Sequence, residues 1–149
     1  MKKDALEALR EEIRNEGFAN HMGVRLRDIG PGYAAVEARY SEKMVNFNGL
    51  VHGGAIFSLI DEAFAVASNS HGTIAVALSL NVIYLESPKV GALLIAEARE
   101  QSMTDPTATY AIEVVQRDEE GDRKIAVCQA LVYRKKDTLS FLGDGMDRA

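Results

Sequence analysis

Asp61 is the first residue that asks for a chemical explanation. It stands between Phe57, Leu59 and Ile60 on one side and Phe64 and Ala65 on the other, in a run from Val51 to Ser68 that only Ser58, Asp61 and Glu62 interrupt after the glycines. A carboxylate in such company costs several kcal/mol unless it is paired or wet. Either it is satisfied structurally, by backbone N–H groups or an arginine, or it works as a general base or nucleophile whose apolar neighbours raise its basicity. Upstream, His52-Gly53-Gly54 opens the same run. If the run is a helix, its first N–H groups lack internal partners and carry partial positive charge, so an oxygen gaining negative charge would find a donor there. Glycine also lets a ligand approach the backbone closely, although the same pair can simply make a tight turn. His52 sits where a capping side chain would sit. Asn46 can both donate and accept, or serve as an ordinary turn asparagine.

The elements that must position these groups follow from the pattern. Ala, Leu and Phe dominate from Gly54 to about Asn69 with no proline, which predicts a helical rod of roughly four turns, about 24 Å long. A helix apolar on all sides must be buried. Glu62 points about 100° away from Asp61 and is expected to be solvated or salt-bridged. Before the rod, residues 4–16 read as an amphipathic helix with Leu6, Leu9 and Ile13 on one stripe and Gly17 as its stop. Met22–Ile29 and Tyr33–Tyr40 read as strands around the Gly30-Pro31-Gly32 turn. After the rod, Asn69-Ser70-His71-Gly72 closes it, and strands are expected over 74–85, 92–103, 107–117 and 124–134, joined by connections too short for crossover helices. The tail from Lys135 is polar apart from Leu139, Phe141 and Leu142, which either fray or dock. The class is α+β: a buried rod wrapped by a curved antiparallel sheet of five to six strands, with an N-terminal helix. Residues 1–149 read as one domain, with 1–19 a helical extension and 136–149 a tail.

Bulk properties narrow the function. The chain has 149 residues, 47% hydrophobic and 26% charged, with a formal net charge of −5. That balance argues against nucleic acid as a partner. The single cysteine, Cys128, excludes an internal disulfide framework. The charged start, with no apolar stretch long enough to cross a bilayer, predicts no membrane association and a cytoplasmic protein.

Asn46 six residues before His52, then His52-Gly53-Gly54, then Asp61 in a helix, then an antiparallel meander, resembles the hotdog-fold acyl-CoA thioesterases, most closely the PaaI-like branch associated with phenylacetate degradation. The resemblance covers residues 20–135. It implies hydrolysis of acyl- or aryl-CoA thioesters without metal or other cofactor. It also implies an obligate homodimer with a continuous sheet, a dimer of dimers as the expected tetramer, and a site shared between subunits. By the same resemblance the Gly53 N–H is the oxyanion donor, Asp61 the base or nucleophile, and His52 a holder of the substrate carbonyl or of the Asn46 region. Asn46 would position the lytic water or the carboxylate, and Gly54 would contact substrate. Asp61 is about two turns from Gly53, roughly 10–12 Å within one chain, so the two would have to meet across a two-fold axis. Water activation and a covalent anhydride ask for the same carboxylate.

Some relatives carry Ser or Thr on the strand after the rod. Here that position is Ala77, and Ser79, two residues on and expected on the same side, or Asn81, is the candidate replacement for substrate binding. Lys89, Arg99, Arg117, Arg134 and Lys135 are candidate contacts for CoA phosphates and equally ordinary surface charges. His21, His71 and Cys128 lack metal-ligand spacing. No Gly-x-Ser-x-Gly elbow is present, which disfavours a serine hydrolase. A non-catalytic acyl-CoA-binding module on the same fold, or a hotdog dehydratase or hydratase, remains the alternative reading.

Overall fold

The rod is α3, Gly53–Asn69. In this computed structural model, which describes residues 3–143, it lies across a single six-stranded antiparallel sheet. The strands are β1 (Arg25–Gly30), β2 (Tyr33–Arg39), β3 (Thr73–Tyr84), β4 (Leu93–Met103), β5 (Thr107–Asp118) and β6 (Gly121–Thr138). Leu59, Ile60, Ala63 and Ala67 of the rod are fully enclosed, and Phe64 packs on Tyr110 of β5 with ring centroids 5.6 Å apart. The facing sheet positions are mostly small: Ala34, Ala96, Ala98, Ala126 and Ala130 are all buried. Alanines in the sheet let the helix settle close, and each large rod side chain so enclosed contributes about 1.5–3 kcal/mol. Register shifts in β1, β3, β4 and the β5–β6 pair bend the sheet around the rod.

The strand order is β1-β2-β4-β5-β6-β3. The strands after the rod therefore do not run as a simple meander. β3 pairs with β6, the last strand, and the segment carrying Pro88 takes the chain across to β4 beside β2. Short connections correctly exclude crossover helices, but they do not say that neighbours in sequence are neighbours in the sheet. One consequence is that β3 is an edge strand, and it is largely uncovered, with Leu78 and Ile83 exposed at 56% and 55%.

The ends differ from expectation in two ways. Helix α1, Lys3–Arg14, stops before Gly17, which instead begins a second helix, α2, Gly17–Met22. The left-handed cap is Gly23, at φ 73°, so the first strand starts at Arg25 and not at Met22. Leu9, Ile13 and Ala19 are buried, which docks both helices on the core. At the other end β6 continues to Thr138, and a short turn of helix, α4 (Ser140–Gly143), follows. Leu139 is buried and Phe141 and Leu142 pack against the core, so this part of the tail docks. Residues 1–2 and 144–149 lie outside the described part. Among the described residues no helix is long and apolar enough to cross a membrane.

The rod's far end is tied down by polar groups. Buried Ser70 donates to Ala67 C=O at 2.7 Å and accepts from the Gly32 N–H at 2.8 Å. Gly32 has φ 67°, and a Cβ there would stand 2.9 Å from Glu100 Oε2, so the β1–β2 turn requires glycine for both space and conformation. His71 and Tyr110 both bond Glu100 Oε2, at 2.5 and 2.9 Å. Burial pushes the Glu100 carboxyl up, but the two hydrogen bonds outweigh it and hold the group below its ordinary value. His71 and buried Cys128 thus have structural surroundings.

Candidate active site

The rod tip is built around one ring. His52 caps α3 with extended backbone, and its Nδ1 accepts from the Gly54 N–H at 2.8 Å. A ring nitrogen that accepts there leaves the proton of the neutral imidazole on Nε2. The His52 carbonyl takes the Ala55 and Ile56 N–H groups at 2.9 and 3.3 Å. The Gly53 N–H has no acceptor among the described residues. The Gly54 N–H, by contrast, is committed to His52, so what Gly54 can offer a substrate is its bare, exposed Cα.

Asn46 sits in the loop that leads to the tip. Its Oδ1 accepts from the Asn48 and Leu50 N–H groups at 2.9 and 3.1 Å, while its own N–H donates to Leu50 C=O at 2.7 Å. Its carbonyl side is therefore spent on closing the loop, which leaves its amide NH2 as the group able to donate outward. The loop is anchored by the Val45–Val51 bridge and by His52 N–H to Met44 C=O at 2.8 Å. Phe47, at its apex, is 98% exposed.

Along the rod, one stripe stays open. Gly54, Phe57 and Ala65 are exposed and Ser58 and Asp61 half-buried, while Ile56, Leu59, Ile60, Ala63 and Phe64 are enclosed. This corrects the expectation of a rod covered on all sides: the sheet of one chain wraps only part of it. Asp61 lies on the open stripe. Burial raises its carboxyl above the ordinary value, and the nearby negative charge of Glu16 adds to the effect.

Glu62 also departs from expectation. It is 6% exposed, neither solvated nor salt-bridged, and its Oε1 has no partner. Its carboxyl is pushed up to about 9, first by burial and then by a hydrogen bond to Glu16, the residue that precedes α2. A carboxyl so placed holds its proton at neutral pH and donates it to the Glu16 carboxylate. Glu16 was not singled out from the sequence, and nothing local could have marked it, because its partners lie some forty-five residues downstream.

The strand after the rod corrects another expectation. Ala77 pairs with Val132, a core residue, whereas Ser79 pairs with Leu131, because the register shifts between them. The shift at Leu78 breaks the alternation, so Ala77 faces the rod while Ser79 and Asn81 face the opposite side of the sheet. Asn81, opposite Gln129, lines a 510 Å³ groove on that outer face. Neither residue is brought to Asp61 within the chain. Tyr84, at the end of the same strand, does return to the rod: its hydroxyl donates to Gly53 C=O at 3.0 Å. The sequence cue to it was a phenol hydroxyl closing the apolar stretch at the strand's end.

Of the basic candidates, Arg99 lies 4.6 Å from the Tyr33 ring centroid and pairs with Glu97 at 2.7 Å, and Arg117 pairs with Asp122 through two 2.9 Å bonds. Arg134 lies near the Glu100 cluster. Lys89 and Lys135 are exposed. Among the described residues no group of three or more His, Cys, Asp or Glu side chains is placed to hold a metal ion.

The chain as a whole has known counterparts. Residues 48–122 match the family model of the thioesterase superfamily. A proposed esterase of Archaeoglobus fulgidus is 37% identical over 121 residues, which are 81% of this chain and 77% of that one. The acyl-coenzyme A thioesterase PaaI of Escherichia coli is 33% identical over 105 residues, 70% of this chain and 75% of its own. The solved structure of E. coli PaaI superposes with a TM-score of 0.84 at 29% identity, over 91% of this chain and 96% of that one. The chain belongs to the thioesterase superfamily, as a PaaI-like thioester hydrolase of hotdog fold.

Proposed function

We propose that this protein hydrolyses acyl- or aryl-CoA thioesters to the free acid and CoA, in a site that two copies of the chain build together. The observation that carries the reading is Asp61, a basic carboxylate on the open stripe of an otherwise enclosed rod. Its counterpart is the Gly53 N–H, the unoccupied donor at the rod tip. The two are eight residues apart, roughly 12 Å along one helix, too far to serve one carbonyl. A two-fold axis beside β3 brings Asp61 of one protomer towards Gly53 of the partner subunit. The uncovered apolar edge of β3 supports such an axis, since two copies would pair there into one longer sheet.

In this site the thioester oxygen lies on the Gly53 N–H, and the helix dipole favours the charge it gains. Asp61 takes a proton from water as the water adds to the carbonyl carbon; the C–S bond then breaks, and the thiolate leaves with the proton returned. Alternatively Asp61 itself adds, expels the thiolate, and leaves a mixed anhydride that water opens. The Asn46 amide NH2 is available to hold the water or the carboxylate, and the outward His52 Nε2–H to contact the substrate. The reading needs no metal or prosthetic group. The acyl-coenzyme A named for the E. coli relative supports the substrate class.

The test is thiol release from a panel of acyl- and aryl-CoA esters, wild type against Asp61→Asn, with the mass in solution measured alongside. Loss of about 10²–10⁴-fold in kcat with folding intact is expected. CoA esters that bind without thiol release from either protein would favour a binding module. Full activity in a strictly monomeric protein would refute the shared site.

A further inference from the structure

The tip of α3 holds two successive glycines, the least constrained residues available, at the one place where a donor must be aimed. The peptide between them is held at both ends. Its carbonyl, that of Gly53, accepts from the Tyr84 hydroxyl at 3.0 Å, and its N–H, that of Gly54, donates to His52 Nδ1 at 2.8 Å. The Tyr84 ring also flanks the tip, lying 3.6 Å from where a Gly53 Cβ would be. The tyrosine is itself fixed: it pairs with Ala126 in the β3–β6 ladder, and the next N–H, that of Leu85, bonds Ile125 C=O at 2.8 Å. The clamp spans two elements, the loop before the rod and the strand after it, and it leaves the adjoining Gly53 N–H unoccupied.

We infer that Tyr84 is a positioning residue, which acts with His52 through the Gly53–Gly54 peptide to aim the Gly53 N–H at the developing oxyanion. The inference rests on the proposed thioester hydrolysis for its catalytic half; the clamp itself is a statement about the folded chain. The two hydrogen bonds run in sequence through one peptide group and polarise each other in the same direction. Losing the tyrosine hydroxyl therefore loosens both, without removing any group that touches substrate.

The experiment is Tyr84→Phe, which keeps the ring and its packing. With the CoA ester that the wild type cleaves best, kcat should fall about 3- to 10-fold, as expected for one hydrogen bond used in the transition state, with KM within twofold. In parallel, 15N-glycine-labelled protein should show faster hydrogen exchange at the Gly54 amide, while glycines away from the tip, such as Gly23 and Gly32, are unchanged. An unaltered Gly54 amide overturns the clamp. A moved Gly54 amide with unchanged kcat, or a loss carried wholly by KM, overturns the positioning role. A wild type that releases no thiol from any ester overturns the proposed function and this role with it, and the exchange measurement still decides the clamp.

Discussion

Glu62→Gln should remove a pH dependence of stability that the wild type carries. In the folded chain Glu62 keeps its proton to about pH 9, whereas an unfolded glutamate releases it near 4.5. Between those values unfolding releases a proton, so the folded state loses ground as pH rises, by at most about 1.4 kcal/mol per pH unit. From pH 5 to pH 8 that would be about 4 kcal/mol if Glu62 held the proton alone. Coupling of Glu62 to Glu16 and Asp61 makes that an upper bound, and about half of it, roughly 2 kcal/mol, is expected. The amide of glutamine fills the same space and can still donate to Glu16, but it cannot ionise. Urea unfolding at pH 5, 6.5 and 8, at one fixed protein concentration because the proposed dimer would add to stability, should give a steeper decline for the wild type than for the variant. Titrating groups away from this cluster contribute equally to both proteins, so the difference in slope reports Glu62 together with its coupling to Glu16 and Asp61. Parallel declines would mean that Glu62 is already ionised in the folded chain or finds water there, and the account of its burial would be wrong.

Three further outcomes follow from the same structure. kcat/KM should rise with pH through an inflection above the ordinary aspartate value, because burial and Glu16 raise Asp61; Glu16→Gln should move that inflection down, as a pH–rate profile would show. Gly32→Ala should cost about 1–3 kcal/mol in thermal or urea unfolding, since it forces a side chain into positive φ with its Cβ 2.9 Å from Glu100 Oε2. Leu78→Lys, on the exposed edge strand, should weaken self-association by light scattering and lower activity in step; full activity in a monomeric variant would contradict the shared site.

The parts of the fold that were legible are those written in local pattern. The proline-free run rich in Ala, Leu and Phe favours a helix by composition alone, and α3 begins and ends close to where that composition says. The stripe of Leu6, Leu9 and Ile13 finds the core because a 3.6-residue period leaves it no other use. Gly17 misled because a glycine between two helical segments can stop one or start the next. The choice was made by Gly23, whose positive φ caps the second helix. Glu62 misled for a different reason. Its angular offset from Asp61 is fixed by the helix, but whether that direction meets water depends on α2, and no spacing within the rod reports where the N-terminal helices dock.

Ser79 shows why the site was less legible than the fold. Counting by twos along a strand assumes an unbroken ladder, and one extra residue between Ala77 and Ser79 sends every later side chain to the other face. The same shift has a useful side. It turns Tyr84 towards the rod, opposite buried Ala126, where its hydroxyl reaches Gly53. Without the bulge, Ser79 would face the rod and Tyr84 would face away, so the chain exchanges a hydroxyl beside the middle of the rod for one at its tip. A strand that braces the tip of the rod and one that offers a hydroxyl beside its middle are therefore alternatives of register. This chain, with Ala77 on the inner face, has the first.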